Sequence, residues 1–181
     1  DGAVAVFCAV GGVEPQSDTV WRQSDKYHVP KIAFINKMDR TGADFYSVLN
    51  SIEKDLGANA IPLEIPIGSE SKFRGVVDLI EMKAYIYDEE SLGKEFSVED
   101  IPQELLEQAL KYRHIMVERA VALDEKLMKK FLEQEDSITQ GELYQAIRQG
   151  TLANKMIPVT CGASFKNKGV QKLLDTIVAF L

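Results

Sequence analysis

The 181-residue sequence is poor in several kinds of residue, and each shortage closes off a class of function. Its only cysteines are Cys8 and Cys161, too few for a disulfide-stapled or cysteine-rich zinc domain. Both sit in apolar runs, so each reads as a small buried hydrophobe in a reducing, cytosolic setting. The two histidines, His28 and His114, have no partners at metal-ligand spacing, and no metal is expected to bind this chain. No apolar stretch nears the roughly 20 residues of a membrane helix, so no membrane role is expected. Lys and Arg number 21 against 28 Asp and Glu, a net charge of −7. Phosphate neutralisation needs a basic face, so direct nucleic-acid binding is not expected of this chain. Also missing is any G-x-x-x-x-G-K-S/T stretch, the loop that cradles nucleotide phosphates. Gly93-Lys94 is followed by Glu95 and does not supply one. No residue stands out as catalytic. The chain begins Asp1-Gly2 without Met and ends inside an apolar helical pattern at Leu181, which reads as a piece of a longer protein.

What is present alternates. Residues 3–10 form a continuous apolar run, the pattern of a strand buried on both faces. Glu14-Pro15 starts a helix that ends near Tyr27-His28, before Pro30. Residues 31–35 predict a second buried strand. Phe45, Val48, Leu49, Ile52 and Leu56 mark an amphipathic helix closed by Gly57. Strand, helix, strand, helix argues a parallel sheet covered by helices. The pattern then changes. Segments 61–67, 73–79 and 82–87 read as strands with short polar connections, followed by the acidic stretch Asp88-Glu89-Glu90. A helix is predicted from Pro102 to about Leu123, capped by Asp100, with Leu105, Ala109, Tyr112, Met116, Ala120 and Leu123 as its apolar stripe. Shorter helices follow over 125–132 and from Thr139, whose capping box with Glu142 opens a helix that stops at Gly150. Alternation resumes with a strand at 156–160 and a last helix carrying Val170, Leu173, Leu174, Ile177 and Val178. The expected architecture is therefore α/β, interrupted by an α+β insert: core 1–64, insert 65–155, core 156–181. The insert holds 18 acids and 12 bases, net −6, which leaves −1 of the total −7 for the core.

Asn36-Lys37-Met38-Asp39 matches N-K-x-D and ends a buried strand, where ligands of open α/β sheets bind. The residue types suit guanine. Its N1–H and N2 amino group lie side by side, and the Asp39 carboxylate can accept from both. Adenine would leave that carboxylate unpaired. Asn36 can tie the loop together, and Lys37 can lay its aliphatic stem along the base. A second segment, Gly162-Ala163-Ser164 followed by Phe165-Lys166-Asn167-Lys168-Gly169, ends another strand. A backbone N–H from this turn would serve guanine O6. Asp39-Arg40-Thr41-Gly42 also spells D-x-x-G, the form of a Mg²⁺ and γ-phosphate switch. It shares Asp39 with the base-reading motif, so the match reads as coincidence.

Over its whole length the chain resembles the elongation factor G family of translational GTPases. The likeness is carried by residues 3–10, Gly11-Gly12-Val13-Glu14-Pro15-Gln16, the run from Asn36 to Phe45, residues 73–79 and the run from Phe165 to Gln171. The resemblance implies part of a P-loop-GTPase-type parallel sheet with helices on both faces, carrying that family's insert. It implies GTP or GDP as ligand, with Mg²⁺ held through motifs this chain lacks, and GTP hydrolysis coupled to ribosomal translocation. The family usually has Gly-Ser-Ala where this chain has Gly162-Ala163-Ser164, which puts any contact from the family's serine hydroxyl in doubt. The family's insert is thought to touch the large-subunit stalk protein. Here that role would fall on Glu104, Glu107, Lys111, His114 and Glu118, on the outward face of the long helix. A non-enzymatic module binding that protein, or the matching part of a release factor or tetracycline-protection protein, are the alternatives.

Overall fold

Side-chain burial explains the first sheet. β2 (Lys31–Asn36) and β8 (Ile157–Cys161) bury nearly every residue, and alternate side chains of a strand point to opposite faces. Both faces of the sheet centre are therefore covered, by the helices α1 (Pro15–Lys26), α2 (Phe45–Leu56), α5 (Gln140–Leu152) and α6 (Val170–Phe180) together with α3 (Gln103–Val121). With β1 (Ala3–Cys8) and β3 (Ala60–Pro62) these strands form a parallel sheet in the order β1-β2-β8-β3. The computed structural model describes residues 2–89, 91 and 93–181. Asp1, Glu90 and Leu92 lie outside the described residues, and with Glu90 part of the acidic stretch 88–90.

The apolar run at 3–10 does not become a strand buried on both faces. Among the described residues β1 has a neighbour on one side only, so Val6 stays 57% exposed and Ala3, Val4 and Ala5 half-buried. Phe7 is the exception; it is buried against Trp21 of α1, ring centroids 5.9 Å apart.

The stretch 61–67 is two strands rather than one. β3 pairs in parallel with β8, while β4 (Glu64–Ile67) opens a second, antiparallel sheet with β5 (Gly75–Asp78), β6 (Lys83–Tyr87) and β7 (Phe96–Glu99). Leu63 is the joint. Its N–H donates to Val159 O of the first sheet and its carbonyl accepts from Leu79 N–H beside the second. β7 escapes sequence detection because it is short and exposed throughout. Asp100 does not cap α3; it pairs with Lys83 at 2.7 Å, and Pro102 takes the cap position without a side-chain bond. α3 ends at Val121, so Leu123 falls off the stripe and is 49% exposed. α5 runs past Gly150 to Leu152. A Cβ at Gly150 would press on the buried Met156 side chain, which would have to shift to admit it. The Thr139–Glu142 capping box forms as expected. α4 (Glu125–Glu133) packs on α3.

α3 spans the two sheets. Arg119 reaches Glu53 of α2 and Ala60 O of β3, and Arg113 donates to Leu79 O and Ile80 O beside β5. Registers Cys8↔Asn36 and Ile35↔Cys161 bring the carboxyl ends of β1, β2 and β8 to one level, where the loops 36–44 and 162–169 emerge together.

Candidate functional site

Because β2 and β8 are neighbours, the residues that follow them meet. Asn36 is the knot. Its Oδ1 accepts from Lys37 N–H at 2.8 Å and Ser164 N–H at 3.0 Å, and its Nδ2 donates to Ser164 Oγ at 2.9 Å. Met38 is fully buried and anchors the loop from below, its N–H donating to Gly162 O at 3.0 Å. Burying the apolar member of N-K-x-D leaves its polar members at the surface. Lys37 is exposed in a left-handed backbone conformation, φ 68°. Asp39 keeps 20% side-chain exposure, with Lys166 Nζ 3.5 Å from its Oδ2. That ammonium is half exposed, so the pair is weak and open to exchange for a ligand.

The second loop is shaped by glycine. A Cβ at Gly162 would lie 2.4 Å from Lys168 O and 2.9 Å from the Phe34 ring. Gly169, at φ 84°, turns the chain into α6. All three N–H groups of 162–164 are engaged: Gly162 with Ile35 O, Ala163 with Lys168 O and Ser164 with Asn36 Oδ1. Gly162 and Ala163 are buried, whereas Ser164 is exposed, so its N–H is the one a ligand can share. The Ala-Ser order thus gives the Ser164 hydroxyl a structural task, accepting from Asn36. All six expected residues, Asn36, Lys37, Asp39, Gly162, Ala163 and Ser164, lie in these two adjoining loops.

Sequence reading missed three neighbours. Phe165 follows Ser164 and is fully exposed, a bare aromatic face beside the loop. Its signal was an aromatic inside a polar turn. Lys166 and Glu70 had no local signal, because their partners, Asp39 and Gly42, lie far away along the chain. Glu104, Glu107, Lys111, His114 and Glu118 all lie exposed on α3, with His114 Nδ1 2.7 Å from Glu135 Oε2. Cys161 is buried but Cys8 only partly. Burial works against the Cys8 thiolate, yet the Gly11 and Val10 amides with Lys37 and Arg40 bring its pKa below the ordinary value.

Beneath the second loop lies an acidic knot. Glu64 is buried and its Oε2 accepts from Cys161 N–H at 3.3 Å, while its Oε1 has no hydrogen-bond partner among the described residues. Burial first, then Asp78 and Asp175 nearby, push its carboxyl up to about 8, against the opposing Lys172 charge and Cys161 amide. A folded pKa above the unfolded one means stability is greatest below the unfolded value near 4.5 and falls as pH rises to about 8. Glu64→Gln, which mimics the neutral acid, is expected to flatten that decline and to be more stable than the parent at pH 9. Denaturant midpoints at pH 5, 7 and 9 check this; parallel declines in the two proteins would refute it.

No helix among the described residues is long and apolar enough to cross a membrane. The chain superposes on a crystal structure of a protein from Thermus thermophilus with a TM-score of 0.88 and 26% sequence identity, over 100% of this chain and 26% of that one. It thus spans about a quarter of that protein's length. Residues 1–181, the whole sequence, match the elongation factor Tu GTP-binding domain. With a parallel sheet that brings N-K-x-D against a glycine-shaped second loop, the chain belongs to the elongation factor Tu GTP-binding domain family, the guanine-nucleotide-binding domain of translational GTPases.

Proposed function

We propose that this chain is the base-reading part of an elongation factor G-type GTPase that hydrolyses GTP in step with ribosomal translocation. In this reading 65–155 is an insert on a core of 1–64 and 156–181. The observation that carries it is a partly exposed Asp39 carboxylate at the joint of two loops that also carry an exposed Lys37 and an exposed Phe165. The carboxylate accepts from guanine N1–H and N2–H. The Lys37 stem and the Phe165 ring cover the base. Ser164 N–H is shared between Asn36 Oδ1 and guanine O6. Asn36, Gly162 and Ala163 keep the loops joined. Phosphates and Mg²⁺ fall to motifs this chain does not contain, so it supplies recognition without catalysis. The family works on the ribosome in the cytoplasm, and the outward α3 residues Glu104, Glu107, Lys111, His114 and Glu118 are the proposed contact for the stalk protein.

An NMR titration of the purified chain with GMP and with AMP tests the reading. Amides of 36–39 and 163–165 should shift with GMP and stay still with AMP; equal responses would sink it. With GTP, phosphate release should not exceed the buffer rate, and turnover abolished by Asp39→Ala would overturn the assignment of recognition without catalysis. Capture of stalk protein by the chain, lost on reversing the charges at Glu104, Glu107 and Glu118, checks the α3 contact.

A further inference from the structure

We propose that Glu70 is a positioning residue for base recognition, holding the turn that carries Asp39 in the geometry that tells a 2-amino purine from one without the amino group. The inference rests on the guanine reading above and adds to it a residue from the turn between β4 and β5.

Glu70 binds the Asp39 turn at both ends. Its N–H donates to Met38 O at 2.8 Å, and its Oε1 accepts from Gly42 N–H at 2.7 Å. Asp39 lies between those two points. Met38 is also held through its N–H by Gly162, so both backbone polar groups of the residue before Asp39 are tied down. Among the described residues the ion-pair partner of the Asp39 side chain itself is Lys166, at 3.5 Å. The aim of the carboxylate therefore follows from backbone placement, and Glu70 ties that backbone on both sides of Asp39.

Glu70 holds this place against its own conformational preference. It sits at φ 55°, a left-handed conformation that Gly or Asn adopts more readily. A turn that needed only that backbone would be served better by either. What Glu adds is a carboxylate long enough to reach Gly42. The turn is itself fixed: Gly68 at φ 77° admits no Cβ, which would stand 2.2 Å from Lys72 O. Its far end holds the second base loop. Phe73 O accepts from Lys168 Nζ at 3.1 Å, and that lysine side chain is only 3% exposed. One turn, 70–73, thus braces both loops from the antiparallel sheet.

Bidentate pairing with N1–H and N2–H demands a correctly aimed carboxylate, whereas a single bond to N1–H tolerates misalignment. Loss of Glu70 should therefore weaken discrimination more than it weakens purine binding. The test compares GMP with IMP, which lacks the 2-amino group, in NMR titrations of the chain and of Glu70→Ala, Glu70→Gly and Glu70→Gln. Glu70→Gly removes the carboxylate while easing the backbone, so it guards against a variant that merely unfolds. Ala and Gly variants should lose GMP affinity about tenfold, lower the GMP-to-IMP ratio and speed amide exchange at Gly42. Gln, which keeps an oxygen acceptor, should restore all three. An unchanged ratio, or equal losses for GMP and IMP, would overturn the role of Glu70 while the guanine reading stands. A parent chain that treats GMP and IMP alike, unaffected by Asp39→Ala, would remove the guanine reading and this inference with it.

Discussion

Asp39→Asn is expected to reverse the preference of this chain from guanine to xanthine. The carboxylate offers two acceptors to the two donors of guanine. Asparagine replaces one acceptor with an N–H donor, which opposes the guanine amino group and suits the carbonyl that xanthine carries in its place. The preference for GMP over XMP should fall by roughly 10²–10³-fold. A fully enclosed polar site reaches about 10⁴-fold, but Asp39 keeps 20% exposure and water compensates part of the mismatch. The substitution is nearly isosteric, and the only described ion-pair partner of the carboxylate is an exposed lysine, so the fold should be unaffected. Titrations with GMP and XMP measure the effect. An Asp39→Asn variant that still favours GMP would take base reading away from Asp39.

The second large effect concerns stability. Lys172 of α6 reaches Asp78 of β5 at 2.6 Å, with side chains 12% and 7% exposed. It also lies 4.3 Å from the centre of the Tyr85 ring. Burial disfavours the ammonium, but Asp78 and Glu64 outweigh it and raise its pKa above the ordinary lysine value. Asp78 is committed elsewhere too, since its Oδ1 accepts from Ile80 and Glu81 N–H at 2.8 Å. Lys172→Met keeps the stem volume and leaves Asp78 buried without its cation, next to Glu64 across the strand pair. Breaking a buried pair in this way costs about 3–5 kcal/mol. A domain of this size holds about 5–15 kcal/mol in all, so the variant should be close to unfolding at physiological temperature. Lys172→Met with Asp78→Asn should recover much of the loss, because the lone buried charge is then gone. Denaturation curves of the single and double variants report both effects. A loss below about 1 kcal/mol would mean that water reaches the pair.

Locally encoded features were legible in the chain. The capping box at Thr139, the stripe of α2 and the strand at 31–35 are set by neighbours within a few residues, and each formed as read. The N-K-x-D loop was legible for a related reason. Its chemistry is carried by adjacent side chains, and the buried run before it placed it at a strand end. Long-range partners were not legible. The run 61–67 gave no hint that Leu63 divides two sheets, since both halves are buried and, Glu64 aside, apolar. Asp100 had the composition of a cap but found Lys83 across a strand pair.

By itself, then, the amino-acid sequence determined the alternation of strands and helices, the parallel character of the first sheet and the residue types suited to guanine. Those follow from periodicity and from functional groups a few bonds apart. Tertiary structure decided the rest. It made β1 an edge, set Asn36 against Ser164 across 128 residues, left the Phe165 ring bare and drew Glu70 onto the turn of Asp39. These depend on strand order, and strand order is a property of which surfaces pack best together, not of any one segment.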